Sequence, residues 1–598
     1  MKKRIKLPFA KFPFGGFRGL IALSAILLLQ SSAASAQTWQ WATAAGSKNI
    51  NNKADRPVDL ATDANGNSYL LSKVHSKEIY VGSSSIPDGQ GLSTSVMTML
   101  SSLDKNGNYR WSKIIGAAAT DPKEIKIVKD KVYMMGIVGT SPGYKANYDK
   151  DYTKPSDYYS GQSLACYDTS GNFKWVVRPD SVIGIEPNIY LPISFDVDDV
   201  GNSYMLVTMP PGSKIMGSSM SIPSTAPFIG YGFYVLKYNP SGSLLSVTML
   251  KDFCYAQGNQ GGVDRYRFTL NKLTNQYYVY GVAGQSLDWD TLYIKSKIIE
   301  SSLFFAAFDN DGTYKWDVGD DKNILGNISI NGAKITATGD IIIGGSARKD
   351  LTFNGHKFDN PFSTSTTPGV PFIMKMSNTG SLIWCKSGGG TGSTQAVLTF
   401  AFAANDKYSA IGGLSGLRFF FGDTKDSITI NTSTQDGWYA IVDNNSGKML
   451  KTGSASGDGF YDATTVLNFS GNDFLIGGYF ESSSLKLDGS SVSVGPAKSG
   501  TDLFVAKMST NSLSIEDKTS NLVNIKIYPN PANDVVNIRG AAISSTVALY
   551  DMQGRMLKRE LIKASDASIN LQELAKGNYL LKITTQEGEE GSAKVVKE

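Results

Sequence analysis

A turn motif recurs through the middle of this 598-residue chain at nearly constant spacing, and that spacing limits the folds open to it. Each copy is an apolar run followed by a polar turn that ends in Gly. The clearest are Leu103-Asp104-Lys105-Asn106-Gly107, Tyr167-Asp168-Thr169-Ser170-Gly171 and Phe308-Asp309-Asn310-Asp311-Gly312. Weaker copies are Tyr238-Asn239-Pro240-Ser241-Gly242, Met376-Ser377-Asn378-Thr379-Gly380 and Val442-Asp443-Asn444-Asn445-Ser446-Gly447. In four of them a Trp follows the Gly by four residues: Trp111, Trp175, Trp316 and Trp384. The glycines are 64, 71, 70, 68 and 67 residues apart, which is the mark of a repeat architecture. A second marker alternates with the first, a polar turn leading into an apolar strand that often carries Tyr. It occurs seven times, at Gly66–Tyr69, Lys131–Tyr133, Gly201–Tyr204, Asn275–Tyr278, Gly339–Ile342, Asn405–Tyr408 and Gly471–Phe474.

Six copies of one marker and seven of the other reconcile if the chain ends complete a unit between them. Trp39-Gln40-Trp41-Ala42 is a lone copy of the strand after the Gly turn, and Leu503–Met508 a lone copy of the strand before it. Left apart, each would present unpaired backbone groups along an exposed edge. Plentiful Gly (61), Tyr (29) and Phe (27) favour strands and tight turns. The expected fold is therefore all-β. It is a seven-bladed β-propeller over 37–510, closed by pairing of the first and last strands, with four strands per blade. The repeat resembles the loosely defined propellers common in secreted bacterial proteins. A solenoid is the alternative, but it leaves the complementary ends unexplained.

In a propeller the Trp strand is outermost, and the strand after it, such as Val58–Thr62, lines the channel. Both tight turns fall on one face. The long connections gather on the other, and loops on a rigid scaffold commonly carry function. Inserts after the Tyr strand share a short pattern, seen at Ile79–Gly82, Leu351–Gly355 and Leu485–Gly489, that predicts an added hairpin. One insert holds Tyr144, Tyr148, Tyr152, Tyr158 and Tyr159 among Lys and Asp residues. Tyrosines offer flat contact area with a hydrogen-bonding end, which suits a glycan or a surface protein. The same rings could equally pack the insert onto its blade.

The N-terminus reads as an export signal over 1–36. It has a basic start, an apolar core at Leu20–Leu29 too short to span a membrane, and small residues at Ala34-Ser35-Ala36. Cleavage between Ala36 and Gln37 is expected, with signal peptidase and the export channel as partners. The signal carries six positive charges and no negative one, so a net charge of +5 for the whole chain becomes −1 for the mature one. That leaves no reason to expect nucleic acid as a partner. No later apolar run is long enough to be a transmembrane segment.

Residues 511–523 read as a polar linker, and 524–598 as a small antiparallel β-sandwich of short strands. Within it, Tyr528-Pro529-Asn530-Pro531, Tyr550-Asp551-Met552-Gln553-Gly554 and Gly577-Asn578-Tyr579 resemble, in order and spacing, the type A C-terminal sorting domain of the type IX secretion system. The resemblance implies recognition by the outer-membrane translocon of a gram-negative bacterium. It also implies passage through the periplasm and a final location outside the cell or attached to its outer surface.

No catalytic residues, metal site or cofactor are identified. Cys166, Cys254 and Cys385 make no disulfide framework, and His75 and His356 are the only histidines. Asp309-Asn310-Asp311-Gly312 and Asp196-Val197-Asp198-Asp199 lack the remaining ligands of a calcium loop. Gly388-Gly389-Gly390 and Gly412-Gly413 are expected at bends between strands. The leading expectation is a non-catalytic binding or adhesion protein whose ligand face is formed by the long loops. One alternative is a propeller enzyme acting on extracellular polysaccharide through paired carboxylates, with Asp59 and Asp196 as members. The other is a structural surface protein.

Overall fold

The computed structural model describes residues 39–48, 55–75, 78–87, 96–115, 121–137, 146–148, 151–152, 162–177, 192–209, 231–255, 266–283, 292–295, 297–299, 302–319, 328–348, 351–358, 369–390, 398–416, 419–421, 427–428, 435–459, 461–490, 493–494, 500–510, 526–540, 543–551, 556–564, 566–584 and 590–598. All regular structure among them is β. Seven antiparallel sheets, each with four strands in meander order, make up the body. Their first strands are Arg56–Thr62, Asp121–Val128, Pro192–Val197, Arg267–Asn271, Ser329–Ile335, Leu398–Ala404 and Ala463–Ser470. Each first strand lies beside that of the next sheet, and the seventh lies beside the first.

The seventh sheet takes its outer strand from the other end of the body. Trp39–Ser47 pairs with Asp502–Ser509, with Ala42 opposite Ala506 and Thr43 opposite Val505. Both expected end strands are thus satisfied in one sheet.

Neighbouring sheets are joined at the Gly turns. The turn glycines have positive φ, as at Gly107 (83°) and Gly171 (85°), and in those two turns the opening Asp104 and Asp168 accept hydrogen bonds from the backbone two and four residues on. The Gly-Asn turns before the Tyr strands are built the same way: Asp63 bonds the Asn65 and Asn67 backbone and the Asn67 side chain. The two sequence markers therefore share one local structure. The Trp of one sheet lies flat on the Gly turn of the next. A methyl group at Gly107, Gly171, Gly242, Gly380 or Gly447 would come within 2.5–2.9 Å of Trp41, Trp111, Trp175, Trp316 or Trp384 respectively. Trp41, Trp111 and Trp175 also donate their indole N–H to a carbonyl of that turn, at 2.9–3.1 Å. The Gly-to-Trp spacing in sequence thus reports a contact between sheets.

The three predicted hairpins are present. Thr352–Phe353 with His356–Lys357 is a two-stranded sheet by itself, while the other two, and two more in inserts that lack the pattern, extend the preceding sheet. Glu78–Val81 with Ser84–Pro87 follows the second strand of sheet one yet continues sheet seven. Leu292–Ile294 with Lys297–Ile299, Phe419–Phe421 with Ser427–Ile428, and Leu485–Leu487 with Ser493–Val494 likewise extend sheets three, five and six. The outer strand of each of those sheets is an edge, and the next unit's insert covers it. Asp488 anchors one such hairpin. It accepts hydrogen bonds from Tyr439 (2.6 Å), Trp39 (3.0 Å) and the Ser454 backbone (2.9 Å), and pairs with Lys451 (3.0 Å).

The C-terminal unit is two sheets. One holds Lys526–Tyr528, Val535–Arg539 and Asp566–Asn570; the other holds Met556–Leu561, Thr546–Tyr550, Gly577–Thr584 and Glu590–Lys597. They enclose a core of their own that includes Val536, Ile538, Leu549, Leu571, Leu581 and Val595.

Candidate binding cavity

Where the seven first strands converge they line a cavity of about 490 Å³. Six of them carry a β-bulge at the same place, so that one residue has no partner on the second strand. The unpaired residues are Val58, Lys123, Ile193, Asn331, Phe400 and Thr465, and all but Ile193 line the cavity. A bulge bends its strand and re-aims a side chain. Here that local distortion decides which residues face the cavity.

In sheets five, six and seven a glycine on the second strand leaves room for the bulge, whereas in sheets one and three Leu71-Ser72 and Leu206-Val207 stand opposite it. A methyl group at Gly345, Gly413 or Gly478 would sit 1.7–2.0 Å from a carbonyl oxygen of the facing first strand. Gly412-Gly413 therefore lies within the strand Tyr408–Ser415, opposite a bulge, rather than at a bend between strands. Gly388-Gly389-Gly390 is also within a strand, where it pairs with Phe419–Phe421. The Gly-Gly pairs at 344–345, 412–413 and 477–478 are the sequence signal for three of the six bulges.

The carboxylates around the cavity are held by their neighbours. Asp59 accepts the Leu60 backbone N–H at 2.8 Å and, across the joint, that of Ile125 at 2.9 Å. Glu124 accepts the Ser194 hydroxyl with its two oxygens at 2.8 and 3.0 Å, and lies 3.8 Å from the Arg267 Nε. Asp196 accepts the Val197 N–H, the Leu270 N–H and the Thr269 hydroxyl at 2.8–3.0 Å. Asn468 closes the joint between sheets seven and one with a bond to the Leu60 carbonyl at 2.6 Å. Each group reaches from one first strand to the next and satisfies backbone that the meander leaves over.

Burial pushes the Asp59 carboxyl up to about 6, against the pull of Lys126 and two backbone N–H groups. Desolvation opposes the charge on Lys126, but Asp196, Glu124 and Asp59 around it outweigh that and hold its pKa above the ordinary lysine value. The opposite wall is less charged. It presents Phe400, which is 38% exposed, with Phe402, Phe469 and Lys334.

The other predicted positions fall elsewhere. Tyr148 is 3% exposed; its hydroxyl meets Ser163, its carbonyl accepts the Tyr167 hydroxyl, and its ring lies against Phe173. This tyrosine packs its insert onto sheet two. Tyr152 pairs through its backbone with Ala146, while Tyr144, Tyr158 and Tyr159 lie outside the described residues, as do Ala36, Gln37 and 511–523. The acidic turns hold backbone: Asp311 bonds Thr313 and Lys251, and Asp198 bonds Val200 and Asn202. His75 is hydrogen-bonded to buried Asp55, and His356 lies edge-on to Phe358.

In the C-terminal unit, Tyr528 is exposed, and Pro529 and Pro531 follow cis peptide bonds. Between them, Asn530 ties the turn to the last strand, donating to the Lys594 carbonyl at 2.6 Å and accepting the Val596 N–H at 2.8 Å. The Tyr579 hydroxyl bonds the Ala575 carbonyl, and Gly577 pairs with Lys597. Asp551 follows Thr546–Tyr550; Gly554 lies outside the described residues.

Residues 526–598 match the secretion system C-terminal sorting domain. The chain thus carries the type IX sorting signal, and its destination is the cell surface or the extracellular space. No curated protein matches the chain. Among solved structures, a protein of unknown function from Dyadobacter fermentans is similar at 8% identity, over 79% of this chain and 98% of that one, with a TM-score of 0.33. PorZ, a surface component of the type IX secretion system of Porphyromonas gingivalis, is similar at 11% identity, over 92% of this chain and 82% of that one, with a TM-score of 0.15. Superpositions that loose carry no argument about fold or function.

Proposed function

We propose that the mature chain is a non-catalytic binding protein of the cell surface, built as a closed seven-bladed β-propeller. In this reading residues 1–36 are the export signal, 37–510 the propeller, 511–523 a linker and 524–598 the sorting domain. Cyclic adjacency of the first strands and pairing of the two chain ends support closure. The ligand reaches the protein on the side of the long connections, where the cavity is its natural end point.

The observation that carries the non-catalytic reading is the use made of the carboxylates. A glycosidase needs one acid free to donate a proton and a second free to attack or to activate water. Asp59, Glu124 and Asp196 instead have their oxygens committed to hydroxyl and backbone donors that hold adjacent sheets together. Incubating the mature protein with a panel of bacterial and plant polysaccharides, while printing the same panel as an array, tests the reading. Binding without new reducing ends is the expected result. Hydrolysis that is lost in Asp59→Asn would overturn it.

A further inference from the structure

We propose that the central cavity is a site for an anionic saccharide unit, a sugar ring bearing a carboxylate or sulfate group. The proposal rests on the binding-protein reading above and names the class of its ligand. Three observations carry it.

The first is the balance of charge. Lys123, Lys126, Arg267 and Lys334 line the cavity against two carboxylates, Asp59 and Glu124. Lys126 sits among Asp59, Glu124 and Asp196, and Arg267 lies 3.8 Å from Glu124, so the charge open to a ligand is that of Lys334. Lys334 has no hydrogen-bonding or ion-pair partner among the described residues. A cation in a cavity walled by protein attracts an anion more strongly than one on an open surface.

The second is Phe400. A bulge turns this large apolar ring into the cavity and leaves it 38% exposed, where packing alone would bury it. Its first-strand neighbours Thr399 and Ala401 are both buried. An exposed aromatic face in a cavity is suited to the apolar face of a sugar ring. The third is size: about 490 Å³ lies within the range of small-molecule sites. Lys334 and Phe400 on neighbouring first strands distinguish an anionic sugar from a simple inorganic anion, which has no use for Phe400. They also distinguish it from a neutral sugar, which has no use for Lys334.

The test is calorimetric titration of the mature full-length protein with digalacturonate, its neutral dimethyl ester, a sulfated disaccharide and inorganic sulfate, beside the array. Digalacturonate or the sulfated disaccharide should bind, with affinity falling as salt is raised. The matching neutral sugar should bind at least about tenfold more weakly, the worth of one well-placed ion pair. Lys334→Met and Phe400→Ala should each weaken binding by about five- to tenfold while leaving the thermal midpoint near that of the parent, since neither side chain is buried. Preference for one charged disaccharide assigns carboxylate or sulfate as the group recognised. Inorganic sulfate binding as well as either sugar, with Phe400→Ala inert, overturns the saccharide assignment. Array binding that ignores charge, Lys334 and Phe400 together overturns the cavity site yet leaves the binding-protein reading standing. No binding on the array or in the titrations sinks both.

Discussion

The contact between Trp111 of sheet one and Gly171 of sheet two lends itself to a double-mutant cycle. Gly171 has φ +85°, and a methyl group there would lie 2.8 Å from the indole of Trp111. Gly171→Ala therefore has two costs: about 1 kcal/mol for an L-residue in the left-handed region, and about 1.5 kcal/mol for displacing the packed ring. Trp111→Ala loses a half-buried indole, worth about 2 kcal/mol, and the 3.1 Å hydrogen bond to the Thr169 carbonyl, worth about 1. In the double mutant the ring that the methyl group would strike is gone, so only the conformational cost of Gly171→Ala remains. The singles should lower stability by about 2.5 and 3 kcal/mol and the pair by about 4, a coupling of about 1.5 kcal/mol. Gly339→Ala supplies the conformational cost alone, because Gly339 has φ +87° and nothing within 4 Å of the added methyl. Guanidinium unfolding of the mature protein, followed by far-ultraviolet circular dichroism, measures all five proteins. Additivity to within 0.5 kcal/mol would refute the claim that the repeating Gly and Trp touch across the joint.

Three further expectations concern other elements. Asp59, raised by burial from 3.8 to about 6, binds its proton more tightly when folded, so it stabilises fully below pH 3.8. That contribution, up to about 3 kcal/mol, is lost as pH rises through 6; Asp59→Asn should flatten the fall in stability between pH 4 and 7, and an unchanged slope would count against it. Asp488→Ala strands the Tyr439 hydroxyl and the Trp39 indole N–H, and should cost about 3 kcal/mol in unfolding experiments and speed amide exchange in Met449–Ser456. Deleting 524–598 should leave a folded protein in the periplasm, because the C-terminal unit has a separate core; fractionation that finds it at the surface would contradict the role of the sorting domain.

Much of the architecture was written locally. The Asp-x-x-Gly turns demand positive φ and a side chain that bonds its own backbone, so they can be read from five residues. Their spacing predicts the repeated sheets, and the unmatched strands at the two ends predict their own pairing; the observed register places Val505 opposite Thr43. The Tyr-Pro-Asn-Pro motif was legible for the same reason. Its turn is a local structure, and Asn530 then carries it onto the last strand.

Other features depend on partners that no local pattern names. A hairpin with apolar alternation needs an edge, but nothing in Leu485–Leu487 says whether that edge is in its own sheet or the one before. Asp488 settles it only once Tyr439, Trp39 and Lys451 have been brought together from three distant strands. Tyr148 looked like its neighbours in a tyrosine-rich insert, yet its place beside Ser163 and Phe173 buries it. The cavity depends most on tertiary structure. Asp59 and Asp196 are ordinary acids in sequence, and they become joints between sheets because the first strand of the adjacent unit is the inner edge of its sheet and presents them with unpaired N–H groups. Phe400 is an apolar residue in an apolar strand, and it faces the cavity because a one-residue bulge reverses the side to which a β side chain points.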